Sequence, residues 1–109
     1  MSAQELVRTV ELLINQVGHL TPQRWAAPAI PGGPPRAELV HGLVQRLADI
    51  AADTEGAPRR SVPRLDNDLA LPDQLRVVAA DLIAAGASEM LTHAAAADVA
   101  EVRAELAAG

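Results

Sequence analysis

The chain contains no Phe, Tyr or Cys and a single Trp, at position 25, so any interior it forms must be built almost wholly from aliphatic side chains. Much of the hydrophobic half of the composition is Ala, which favours helix more than it adds buried surface. Leu, Val and Ile are still plentiful enough for a folded core, and the alanines let helices approach closely. At 109 residues the chain is about one domain long, and the expectation is a single helical domain over residues 1–109.

Apolar residues recur at helical spacing. Ser2 with Glu5 forms a capping-box pattern, and Leu6, Val10, Leu13 and Val17 follow at alternating steps of four and three, ending near Gly18. Thr21-Pro22 is a second helix start, with Thr as N-cap and Pro at the first helical position, and Pro28 stops that element within about two turns. Trp25 lies inside it. The Pro/Gly-rich stretch Pro28 to Pro35 reads as a loop. A second long helix then carries Leu39, Val40, Leu43, Val44, Leu47, Ile50 and Ala51 opposite Glu38, Gln45, Arg46 and Asp49, and frays before Gly56. Pro72 opens a third, with Leu75, Val78 and Leu82 in phase and Gly86 as its stop. Ser88 caps a fourth, running through Met90, Leu91, Ala95, Val99, Val102 and Leu106.

No strand-like alternation and no fixed-period repeat occurs. The expected fold is all-α: an antiparallel four-helix bundle with a short extra helical turn around Trp25 and a long loop at about 55–70. A loop of that length inside a compact domain points to a functional or mobile segment, with Leu65, Leu69 and Leu71 expected to pin it to the core.

The net charge of -5 opposes attraction to nucleic acid or to an anionic membrane, and no stretch approaches the ~18–20 apolar residues of a membrane span. The start of the chain lacks the basic and apolar runs of a signal peptide, so a cytoplasmic location is expected. All nine basic residues are Arg, a pattern of GC-rich coding. Without Cys there is no disulfide, thiol nucleophile or thiolate metal site.

Among chemistry-bearing residues, Glu89-x-x-x-His93 places a carboxylate and an imidazole on one helical face. With His41 as a third ligand, such a pair could hold a divalent ion such as Zn or Ni in an open site. Set against this is a solvated pair near a helix start, with His41 a flanking residue and no cofactor at all. His19, just past the first helix, reads as a cap for its last carbonyls. Arg59, Arg60 and Arg64 could grip a phosphate or carboxylate of a ligand or partner, or be neutralised by Asp66, Asp68 and Asp73. Asp66-Asn67-Asp68 lacks the continuation of an EF-hand, and no Ser or Thr stands in a nucleophile elbow, so no catalytic set is assigned. Trp25 is either a ligand or partner contact or a core plug at the bundle end.

The run Leu20-Thr21-Pro22-Gln23-Arg24-Trp25-Ala26-Ala27-Pro28, followed by Gly33-Pro34-Pro35-Arg36-Ala37-Glu38-Leu39-Val40-His41, resembles the start of the DinB and mycothiol-dependent maleylpyruvate isomerase-like helical proteins. In that family a Trp and a Pro precede a Gly-Trp-containing turn and an Arg-x-x-Leu-Val-x-His helix, whose His binds a divalent metal with a later Glu-x-x-x-His. The resemblance implies a four-helix bundle with a metal site built from His41, Glu89 and His93. Here Pro34 replaces the turn Trp and His41 stands one position early, so what is implied is shared architecture with catalysis lost or never present. The expected role is therefore non-enzymatic: self-association as a homo-oligomer, or docking to a protein partner, through apolar edges left on the Ala-rich fourth helix. A metal-dependent DinB-like enzyme, or a degenerate relative of one, is the alternative.

Overall fold

Four long helices, each apolar along one stripe, surround a common aliphatic interior. A computed structural model of the chain describes residues 2–108. Helix α1 (Ser2–Val17) already includes Ser2, the residue expected to cap it, and buries Leu6, Val10, Leu13 and Val17. The short α2 (Pro22–Ala26) starts as its sequence predicts, with the Thr21 hydroxyl accepting from the Arg24 amide and Pro22 in the first turn. Helix α3 (Arg36–Glu55) ends at Gly56, whose φ of 69° is the left-handed conformation that closes a helix without the strain a Cβ would add. A single 3-10 turn (Asp68–Ala70) leads into α4 (Leu71–Ala84), and a tight turn through Gly86, at φ 81°, leads into α5 (Glu89–Ala107). The Ser88 hydroxyl caps α5 by accepting from the Leu91 amide. Among the described residues no β-strand forms; Pro28 and Pro35 make one isolated bridge that pinches the Pro/Gly loop closed.

The helix directions depart from the expected antiparallel pattern. Glu5 of α1 lies against His93 early in α5, and Gln16 at the other end of α1 donates to the Arg103 carbonyl late in α5, so these two helices run parallel. Helix α4 runs opposite to α1, since Arg76 meets Glu11 while Ile83 lies beside Val7. Helices α3 and α4 run parallel as well. His41 at the start of α3 holds Val62, and Gln74 early in α4 holds Pro63, whereas Ala51 and Glu55 near the end of α3 face Val78 and Asp81 in the second half of α4. The order is thus up for α1, down for α3 and α4, and up for α5.

This direction explains the long connection. A parallel pair cannot be joined by a tight turn; the chain must travel back the length of α3 before α4 can begin. Residues 56–67 make that return as an extended strap laid on α3. The strap is pinned by polar bonds more than by leucines: Leu71 is buried, but Leu65 and Leu69 are exposed, and Val62 is the apolar side chain that the strap packs against the core. Leu65 lies outside the core because the extended strap contributes a side chain to the helix surface only at alternate positions, and Leu69 is exposed in the 3-10 turn that follows.

Trp25 is completely buried, the largest side chain in a core otherwise made of Leu, Val and Ala from all four long helices. It has the plug role, not the exposed one. Among the described residues its indole Nε1 has no hydrogen-bond partner, so the residue stabilises by packing, against a desolvation cost of about 1–3 kcal/mol for the N–H. At the opposite end, Met90 and Leu91 of α5 are exposed, although their spacing places them on its expected apolar stripe. Helix α5 buries Thr92, Ala95, Ala96, Val99, Val102 and Leu106 instead.

Candidate functional site

The three residues of the expected metal set are not brought to one point. His41 Nε2–H donates to the Val62 carbonyl at 2.9 Å, which fixes its tautomer and commits it to holding the strap. His93 Nδ1 lies 3.3 Å from a carboxylate oxygen of Glu5, on the α1/α5 seam. Arg46 pairs with Asp98 and Arg36 at the start of α3 lies beside Leu106 at the end of α5, so α3 and α5 are antiparallel. His41 stands five residues before Arg46 and His93 five before Asp98, displacements in opposite directions that separate the two by about 15 Å at 1.5 Å per residue. Glu89 lies one turn further still from His41 and is exposed. Among the described residues no group of three or more His, Cys, Asp or Glu is placed to hold a metal ion.

The arginine cluster sits on the strap, facing acids. Arg59 presents Nε and Nη2 to the two carboxylate oxygens of Asp53 at 2.9 and 2.7 Å, with Asp49 nearby at 3.9 Å. That fork holds the Asp53 carboxyl below its usual range and pushes the Arg59 guanidinium up. Arg64 pairs with Asp68 one helical turn on, at 2.8 Å. Arg60 contributes its carbonyl, which accepts from Gln45, while its side chain lines a groove of about 520 Å³ between the strap, α3 and α4. Neutralisation is therefore the fate of Arg59 and Arg64, with acids of α3 supplying half of it.

Gln45 organises the strap, and its spacing alone marks it only as a residue of the polar face. Its Oε1 accepts from the Val62 amide at 2.7 Å while its Nε2 donates to the Arg60 carbonyl at 3.0 Å and to Asp49 at 2.9 Å. Gln74 adds a bond to the Pro63 carbonyl. Two ion pairs tie helices together across long stretches of chain: Arg46 to Asp98, and Arg76 to Glu11, whose carboxyl is lowered by the hydrogen bonds it accepts from that guanidinium.

The surface carries further concave regions. Between α1 and α4 lies an apolar groove of about 470 Å³, lined by Val7, Val10, Ala79, Ala80, Ile83 and Ala84 and bordered by the Glu11–Arg76 pair. Between α1 and α5, Leu12 and alanines of α5 form shallower grooves around Arg103. Where α1, α2 and α5 end and α3 begins, Arg24, Arg36 and His19 line a smaller one. Arg36 is buried and was not among the expected site residues. One signal in the sequence points to it: position 36 precedes Val40, Val44 and Leu47 on the apolar stripe, where a charge is out of pattern. The chain matches no protein-family model, no curated protein and no solved structure.

Proposed function

We propose that this protein is a non-enzymatic four-helix bundle that acts by self-association, with the α1/α4 groove as its contact face. The observation that carries this reading is the groove itself. Six of its lining residues are aliphatic, and Val7 among them remains 49 % exposed. Exposed apolar area of this kind is stabilised when a second surface covers it. A second copy is the occupant because a two-fold contact sets like patch against like patch, and the bordering Glu11 and Arg76 present one charge of each sign to their counterparts. The histidines support the same reading from the other side: His41 and His93 each make an intramolecular contact that ties elements of the fold together.

Sedimentation velocity over a wide concentration range tests the proposal. The wild-type chain should shift from monomer to dimer as concentration rises, and Val7→Glu, at an exposed position of the groove, should remain monomeric with unchanged helicity. A wild-type chain that stays monomeric at the highest concentration, or a Val7→Glu variant that dimerises as well as wild type, would overturn it.

A further inference from the structure

We infer that the concavity where α1, α2 and α5 end and α3 begins is a binding site for a small aliphatic carboxylate. The central observation is Arg36. It is 7 % exposed, yet among the described residues it pairs with no carboxylate; its Nη1 donates to the Arg24 and Ala27 carbonyls, both at 3.2 Å. Both carbonyls also accept a backbone N–H, Arg24 from Ala27 and Ala27 from Arg36 itself, so the guanidinium adds a second bond to each at the end of α2. These bonds do not neutralise the charge. Arg36 is moreover the first residue of α3, at the helix end whose dipole is positive and which favours an anion over a cation. A buried guanidinium with no acid beside it among the described residues is stabilised further by an anion that reaches its open edge, although the ends of α1, α2 and α5 around it already favour a cation.

The guanidinium is presented correctly for one. In Arg46, Arg59 and Arg76 the Nε and Nη2 edge grips a carboxylate with two bonds. In Arg36 the two bonds made use Nη1, and the same Nε and Nη2 edge carries no hydrogen bond within the described residues. Arg24 and His19 line the same concavity, and Arg24 likewise pairs with no carboxylate among the described residues. Two arginines and a histidine thus line one small space.

The rest of the lining selects among anions. Val17, Leu20 and Leu106 supply apolar wall, which suits a short hydrocarbon tail and not the hydrated oxygens of phosphate. The concavity is small, about 280 Å³, which suits a short ligand. A planar carboxylate on the free guanidinium edge, with a few carbons against the wall, fills both requirements. This site lies at the opposite end of α1 from Val7 and does not depend on the association proposed above.

Trp25 belongs to the same short helix as Arg24 and is the only fluorophore, so its emission reports on the site. The full chain is titrated with butyrate, acetate and inorganic phosphate at constant ionic strength, following Trp25 emission and Tm. The expected result is a saturable emission change and a raised Tm with butyrate, weaker with acetate and weakest with phosphate. Arg24→Gln, at an exposed position that leaves the α2 cap intact, should weaken butyrate several-fold, and Arg36→Met by about tenfold or more where it folds. An absence of saturation with butyrate up to about 50 mM overturns the proposal, as does butyrate binding unchanged in Arg24→Gln. Preference for phosphate over butyrate overturns the carboxylate assignment.

Discussion

Replacing Gln45 with Leu tests whether polar bonds to α3 hold the strap. The substitution keeps the volume of the side chain while deleting the acceptor of the Val62 amide and the donor to the Arg60 carbonyl. Each such bond contributes about 0.5–1.5 kcal/mol net, so strap opening should become easier by about 1–3 kcal/mol. Because the strap packs only Val62 against the core, most of this appears as local opening and little as global unfolding. Hydrogen exchange at the Val62 amide reads it directly: about 1.4 kcal/mol per decade converts the loss into roughly 5- to 150-fold faster exchange. Trypsin gives a second reading, since Arg59, Arg60 and Arg64 all lie in the strap. Val62 exchange within about twofold of wild type in Gln45→Leu, with unchanged tryptic cleavage, would refute the reasoning.

Two further outcomes follow from the same contacts. Trp25→Ala should cost about 3–5 kcal/mol in denaturant unfolding, whereas Trp25→Phe should cost under about 2 kcal/mol because the indole N–H has no partner among the described residues to lose; equal costs would refute this. Arg76 holds Glu11 below its ordinary value of about 4.5, so the folded state binds fewer protons there, and the stability the pair contributes is present above that value and lost as the pH falls through the lowered one. The Tm difference between wild type and Glu11→Gln should therefore be greatest near neutrality and vanish in acid; a difference constant across that range would rule out this linkage. Asp53, lowered by Arg59, adds the same sign over a similar range and acts on the strap.

Capping and periodicity make the helices legible in the sequence, down to Thr21, Gly56 and Ser88 at their ends, because both signals act within one or two turns of chain. The buried stripes of α1 and α3 are legible for the same reason, and so is the all-helical class. Helix direction is not. Whether α4 runs with α3 or against it depends on where the intervening segment returns, and the length of residues 56–67 fits a functional loop as well as it fits the strap that runs back along α3.

The site is less legible than the fold. His41, Glu89 and His93 share residue types and spacing with a metal set, but spacing along two helices says nothing of their direction, and opposite directions carry His41 and His93 to separate ends. Gln45 bonds to residues 15 and 17 positions away, and Glu11 meets Arg76 across 65. Sequence by itself determined what each segment becomes, since helix formation is decided by near neighbours. Only the tertiary structure decided which segments meet and which charge has no counterion among the described residues. Those outcomes depend on the path of the whole chain, and it is they that single out Arg36.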